Sequence, residues 1–164
     1  MIKKKICMLG SFAVGKTSLV QRFVSSLFSD KYHTTIGVKI DKKIVDLDGI
    51  EVNLMLWDIH GEDEYQKIQA SYLIGTSGYF IVIDGTRKGT IKVAESIQQF
   101  VVENIGQKPF IALINKSDLV DEWDIGDDDL DALKAQGWEI IKTSAKTGLG
   151  VENAFGQLAR KIIE

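Results

Sequence analysis

One cysteine, Cys7, and one proline, Pro109, stand in 164 residues. A lone cysteine excludes an internal disulfide framework and fits a reducing compartment. No apolar run approaches the ~20 residues that a membrane span needs. Internal repeats, low-complexity stretches and Pro/Ser-rich linkers are absent from the sequence. With 20 Lys and Arg against 23 Asp and Glu, the formal charge is −3, so the broad basic face of a nucleic-acid binder is missing and acidic lipid surfaces are disfavoured. What is present is an apolar fraction of 45%, about 74 side chains, enough for one sizeable core and too few for two ordinary domains. A single domain over residues 1–164 is expected.

Lys3, Lys4 and Lys5 ahead of the mostly apolar stretch Ile6 to Gly15 imitate a secretory signal, but no small-x-small cleavage site follows. Ile6 to Leu9 reads instead as a strand ending at Gly10, with helical apolar spacing from Thr17 to Val24. Lys39 to Asp46 and Glu51 to Trp57 alternate and are rich in β-branched residues. Asp48-Gly49 between them is a tight-turn dipeptide, so an antiparallel pair is expected. Tyr79 to Ile83, Phe110 to Ile114 and Trp138 to Lys142 read as buried, mainly parallel strands. Helical spacing marks Ile91 to Ile105, Leu130 to Gln136 and Val151 to Ile163. Such alternation predicts a doubly wound α/β sheet with its ligand beyond the carboxyl ends of the strands.

Gly10-Ser11-Phe12-Ala13-Val14-Gly15-Lys16-Thr17 matches G-x-x-x-x-G-K-[ST] between a predicted strand and helix. In such a P-loop the backbone N–H groups of Ala13, Val14, Gly15, Lys16, Thr17 and Ser18 and the helix terminus face anionic oxygens. Lys16 supplies positive charge to the outer phosphates and Thr17 a hydroxyl ligand for Mg2+. A phosphate cradle alone leaves ATPases, kinases and GTPases open. Asn115-Lys116-Ser117-Asp118 follows a predicted strand, and a carboxylate at Asp118 can accept from both N1–H and the 2-amino group of guanine, a pair that adenine lacks. Thr143-Ser144-Ala145-Lys146 follows the last strand, where the Ala145 N–H can meet the guanine carbonyl. Asp58-Ile59-His60-Gly61 has the form D-x-x-G: its carboxylate can hold Mg2+ through water, and Gly61 lets the backbone approach the terminal phosphate. Thr35, in the polar loop before the second strand, reaches the metal if that loop folds inward.

Together these segments resemble the five nucleotide motifs of the Ras superfamily, closest to its Rab branch, from about residue 2 to residue 163. The resemblance implies a P-loop NTPase fold: a six-stranded, mostly parallel sheet with one antiparallel strand and about five helices. It also implies a guanine-nucleotide switch that binds GTP or GDP with Mg2+ and slowly hydrolyses GTP. By the same resemblance Phe28 packs edge-on against guanine, Lys116 lies along its face, and Asn115 ties the P-loop to the base loop. The loops Phe28 to Gly37 and Gly61 to Tyr72 would be the switches, meeting a protein effector and regulators.

Three departures from the family pattern involve four residues. Glu62 replaces the water-orienting glutamine; it can still accept from water, yet adds charge near the phosphate. Phe12 and Ala13 stand where small residues are usual, and a ring at Phe12 would crowd an arginine finger from an activating partner. His60 stands in place of alanine, as a surface, packing or catalytic histidine, and His33 reads as solvated. The chain carries no terminal cysteine and no glycine at position two, so no lipid anchor is expected and a cytoplasmic setting is. Asp118 to Asp131 holds eight acidic residues and no basic one, read as a solvated loop and helix start or as a docking face for a basic regulator. Trp57, Tyr65, Tyr72 and Ile36 form either core or an apolar effector patch. Two alternatives to a hydrolysing switch stand at this level: a non-hydrolysing, GTP-dependent scaffold, and an ATP-using P-loop enzyme in which Asp118 is irrelevant.

Overall fold

The computed structural model describes residues 2–25, 38–59 and 68–164. Within them the chain runs β1 (Ile2–Gly10), α1 (Lys16–Ser25), β2 (Val38–Leu47), β3 (Ile50–Ile59), a 3-10 turn (Ala70–Leu73), β4 (Gly78–Asp84), α2 (Thr90–Ile105), β5 (Phe110–Asn115), a second 3-10 turn (Val120–Glu122), α3 (Asp127–Ala135), β6 (Ile140–Lys142) and α4 (Val151–Ile163). The six strands form one sheet in the order β2-β3-β1-β4-β5-β6. β2 is antiparallel to β3 and every other neighbouring pair is parallel, as expected. Four α-helices lie among the described residues, one at each segment with helical spacing and one fewer than the about five implied by resemblance.

Alternation along the central strands divides the core in two. Ile6 and Met8 of β1, Phe80 and Val82 of β4 and Ile111 and Leu113 of β5 face α1 and α4, meeting Val20, Phe23, Phe155 and Leu158. There Phe155 stacks on Phe23 at 3.9 Å between centroids and meets Phe80 edge-on at 4.8 Å. Cys7, Leu9, Tyr79, Ile81 and Ile114 face the other way, toward Ile97, Val101 and Leu133. Cys7 is fully buried, its sulfur 3.1 Å from Thr76 Oγ1, and burial raises the thiol pKa despite that hydrogen bond and the nearby Lys5.

Asp48 and Gly49 both take positive φ, 55° and 90°, so the β2–β3 hairpin closes at the expected dipeptide. At α3 the acidic run becomes structural: Asp127, Asp128 and Asp129 fill the first turn, and Asp129 accepts the Gly126 N–H at 2.9 Å.

Of the boundaries that differ from the sequence reading, three have a cause in specific contacts. β1 starts at Ile2 rather than Ile6, because Ile2 to Lys5 pair with Val52 to Met55 of β3. The lysine run is therefore strand, and Lys5 uses its ammonium on the Tyr72 and Ile74 carbonyls at 2.6 and 2.8 Å and over the Trp57 ring. β6 is shorter than Trp138 to Lys142: the Trp138 N–H closes α3 on the Leu133 carbonyl, and its ring packs edge-on to Phe110. α3 begins at Asp127 rather than Leu130, since the acidic turn caps it.

Candidate functional site

The carboxyl ends of β1, β3, β4 and β5 meet beside the loop that joins β1 to α1. Parallel pairing sets Gly10 against Val82 and Met8 against Asp58, and β4 pairs Asp84 with Asn115. The loop needs its glycines. A Cβ on Gly15, at φ +103°, would lie 2.3 Å from Asn115 Nδ2; one on Gly10 would lie 2.6 Å from the Val82 carbonyl oxygen. Ala13 itself takes φ +60°.

Each carbonyl of this loop from Gly10 to Val14 has a side-chain donor. Lys16 Nζ donates to the oxygens of Gly10 at 3.3 Å and Ser11 at 3.0 Å. Arg87 Nη2 holds Phe12 O at 2.7 Å, Lys116 Nζ holds Ala13 O at 3.1 Å, and Asn115 Nδ2 holds Val14 O at 3.0 Å. Lys16 is 6% exposed, and burial lowers its pKa to about 8, with the Asp58 charge opposing and Arg87 assisting. A buried ammonium whose hydrogen bonds among the described residues go to neutral carbonyls is a strong attractor for phosphate oxygens.

Thr17 Oγ1 donates to Asp58 Oδ2 at 2.5 Å, with Asp58 1% exposed at the end of β3. A hydroxyl and a carboxylate side by side are hard oxygen donors that suit Mg2+, which keeps several waters and substrate phosphates as its other ligands. Clusters of three or more His, Cys, Asp or Glu able to hold a metal by themselves are absent among the described residues.

At the end of β5, Asn115 joins two loops, since its Oδ1 also accepts from Thr143 Oγ1 at 3.1 Å. Lys116 takes φ +67°, and its ammonium is anchored between Ala13 O and Asp84 Oδ2, the latter at 2.8 Å. Asp118 accepts the Ser144 hydroxyl at 2.7 Å, so the segments after β5 and β6 touch directly. Ser144 and Ala145 are buried and Lys146 is exposed.

The expected site residues Ala13, Val14, Gly15, Lys16, Thr17, Ser18, Asp58, Asn115, Lys116, Asp118, Ser144, Ala145 and Lys146 all lie at the carboxyl edge of the sheet, in the loops beyond it or in the first turn of α1. Phe28, Thr35, Gly61 and Glu62 lie outside the described residues, as do His33, Ile36, His60 and Tyr65. Asp84, Thr86 and Arg87 were missed by sequence reasoning. Asp84 is completely buried at the end of β4. Its Oδ1 accepts the Thr86 N–H and hydroxyl at 2.8 and 2.7 Å, and its Oδ2 accepts Arg87 Nε at 2.9 Å and Lys116 Nζ. Burial pushes this carboxyl up, but the bonds from Lys116, Thr86 and Arg87 outweigh it and leave the pKa below the ordinary value. Asp-Gly-Thr-Arg at the carboxyl end of a central strand was the available signal.

The sequence profile of the Ras family matches residues 5–164. Ras-related protein Rab-32C of Dictyostelium discoideum is 34% identical, covering 99% of this chain and 75% of the relative. The GTP-binding protein Rheb homolog of the same organism is also 34% identical, over 97% of this chain and 87% of its own length. GTP-binding protein ypt1 of Schizosaccharomyces pombe is 31% identical, over 98% and 80%. With the six-stranded sheet in place and the family profile spanning nearly all of it, the chain belongs to the Ras family of GTP-binding, GTP-hydrolysing switches.

Proposed function

We propose that residues 1–164 form one GTPase domain in which the loop Gly10 to Thr17, Asn115 to Asp118 and Ser144 to Lys146 enclose GTP or GDP. The observation that carries this reading is the double bond set of Asn115 to Val14 O and Thr143 Oγ1, which makes the phosphate and base ends one piece.

Lys16 would turn from its carbonyl partners to the outer phosphates, and Thr17, with Asp58 through water, would hold Mg2+, which when bound supplies charge neutralisation at the phosphates. Asp118, aimed by Ser144, takes the two guanine donors, while the Ala145 N–H meets the guanine carbonyl. Phe28 covers the base. Thr35 adds a metal ligand and Gly61 a close backbone approach, and Glu62 accepts from the attacking water. The exposed Phe12 ring obstructs an arginine finger, so activation by a partner follows another geometry. Effectors and regulators bind the switch loops 28–37 and 61–72, bordered by the half-buried Trp57 and Tyr72. Among the described residues, no helix is long and apolar enough to cross a membrane. The unpaired thiol of Cys7 favours a cytoplasmic setting.

Displacement of a fluorescent GDP analogue tests the binding reading: GDP displaces it at stoichiometric concentrations and ADP fails at ~100-fold excess, consistent with a site that hydrogen-bonds the base. Equal displacement by both nucleotides refutes it. Phosphate release from GTP in a single turnover with Mg2+ must exceed the uncatalysed level.

A further inference from the structure

A trans peptide is planar, so its C=O and N–H point in opposite directions. Fixing the carbonyl of Phe12 outward therefore turns the Ala13 N–H inward, toward the anion site. Lys116 does this for the next peptide through Ala13 O, and Asn115 for the one after through Val14 O. The first of the three consecutive planes is fixed by Arg87 through Phe12 O.

Arg87 is well suited to that task. Its side chain is 43% exposed, and free in solution it would sample many rotamers. Nε on Asp84 Oδ2 at 2.9 Å fixes the plane of the guanidinium, and Nη2 then meets Phe12 O at 2.7 Å. A rigid fork can make both bonds at once, which a lysine ammonium on its flexible stem does not reproduce. Asp84 in turn is locked by Thr86 and shared with Lys116, so one buried carboxylate aims both cations that hold consecutive carbonyls of the loop.

We propose that Arg87, aimed by Asp84, is a positioning residue that clamps the Phe12–Ala13 peptide so that its N–H points to the nucleotide phosphates and slows nucleotide release. The inference rests on the guanine-nucleotide reading of the same site. It concerns the phosphate end, so it is separable from base selection.

Release of a fluorescent GDP analogue from the Mg2+-loaded protein tests it, with circular dichroism at saturating GDP confirming the fold of each variant. Arg87→Ala releases GDP about tenfold faster, the scale of one charge-assisted hydrogen bond on a partly exposed group. Arg87→Lys keeps the charge, loses the fork and stays close to the alanine variant. Arg87→Ala weakens GDP and IDP by the same factor, because the 2-amino group that distinguishes them lies at the far end of the ligand. A release rate within twofold of wild type for Arg87→Ala overturns the proposal, as does a wild-type rate for Arg87→Lys. So does a change of more than fivefold in the GDP-to-IDP ratio, which would locate the effect in the base loop. Failure of the wild-type protein to prefer GDP over ADP is a different result: it removes the underlying site reading and this inference with it.

Discussion

The Ser144 hydroxyl donates to the Asp118 carboxylate at 2.7 Å, across 26 residues of sequence, while its oxygen accepts the Thr147 N–H at 3.1 Å. That second bond fixes the hydroxyl rotor, so Asp118 presents its carboxylate in one orientation. Asp118→Asn replaces an acceptor edge by an amide whose N–H2 faces the guanine donors. GDP affinity should fall at least ~100-fold, the scale of losing two hydrogen bonds to a charged group. Ser144→Ala removes only the aim and should cost about fivefold, on the scale of a single neutral hydrogen bond. Titration with a fluorescent GDP analogue reads both.

Lys16 provides a pH dependence. In the free protein burial lowers its pKa to about 8, and phosphate oxygens favour the ammonium, so the complex binds more protons than the free protein above that pH. Affinity for GDP should therefore weaken as pH rises from about 8 toward 9 and be flat from 6.5 to 7.5, apart from phosphate titration. Calorimetry at pH 8.5 in two buffers of different ionisation enthalpy should show proton uptake on binding. Proton release instead would contradict a Lys16 whose pKa is lowered by burial in the free protein.

Removal of the metal offers a third check. Thr17 and Asp58 supply hard oxygens to one place, so chelation of Mg2+ with EDTA should speed GDP release from the wild-type protein at least ~10-fold. In Thr17→Ala the basal rate should already be fast and EDTA should add little. An unchanged EDTA effect in that variant would remove Thr17 from the ligand set.

In the core, Phe155 fills the space between Phe23 and Phe80 with no exposed surface. Phe155→Ala should destabilise the fold by about 3–5 kcal/mol, from lost burial plus the cavity left behind. Urea unfolding at one fixed GDP concentration measures it, since bound nucleotide adds to the stability of either protein.

Gly15→Ala should weaken GDP more than Gly75→Ala, although both residues have positive φ. The Gly15 Cβ would push aside Asn115 Nδ2, which lies 2.3 Å from it, whereas nothing lies within 4 Å of a Cβ on Gly75. Comparing the two separates backbone strain from displacement of Asn115.

The positions of Gly10 to Thr17, Asn115 to Asp118, Ser144 to Lys146 and Asp58 in the fold were legible because each stands at or just past the end of its strand. A strand end and a fixed spacing suffice to place such residues. Strand alternation also placed both faces of the sheet, as Ile6 and Met8 against Cys7 and Leu9 show. The Arg87–Phe12 bond was not legible, since 75 residues separate its partners and only the parallel pairing of β1 with β4 brings them together. Lys3 to Lys5 hid the start of β1, because charge hides strand propensity until β3 supplies the ladder. Trp138 read as strand by its apolar neighbours, while its N–H was taken by the end of a helix.

Cys7 sits in β1 with its sulfur against Thr76 and no surface of its own. A thiol so enclosed and held protonated is a poor nucleophile, and it is the only native one. Maleimide dyes should accordingly ignore the parent protein and react at whatever surface position receives an engineered cysteine. The molecule is therefore ready for site-specific spectroscopic reporters on either side of its nucleotide pocket without prior removal of native sulfur.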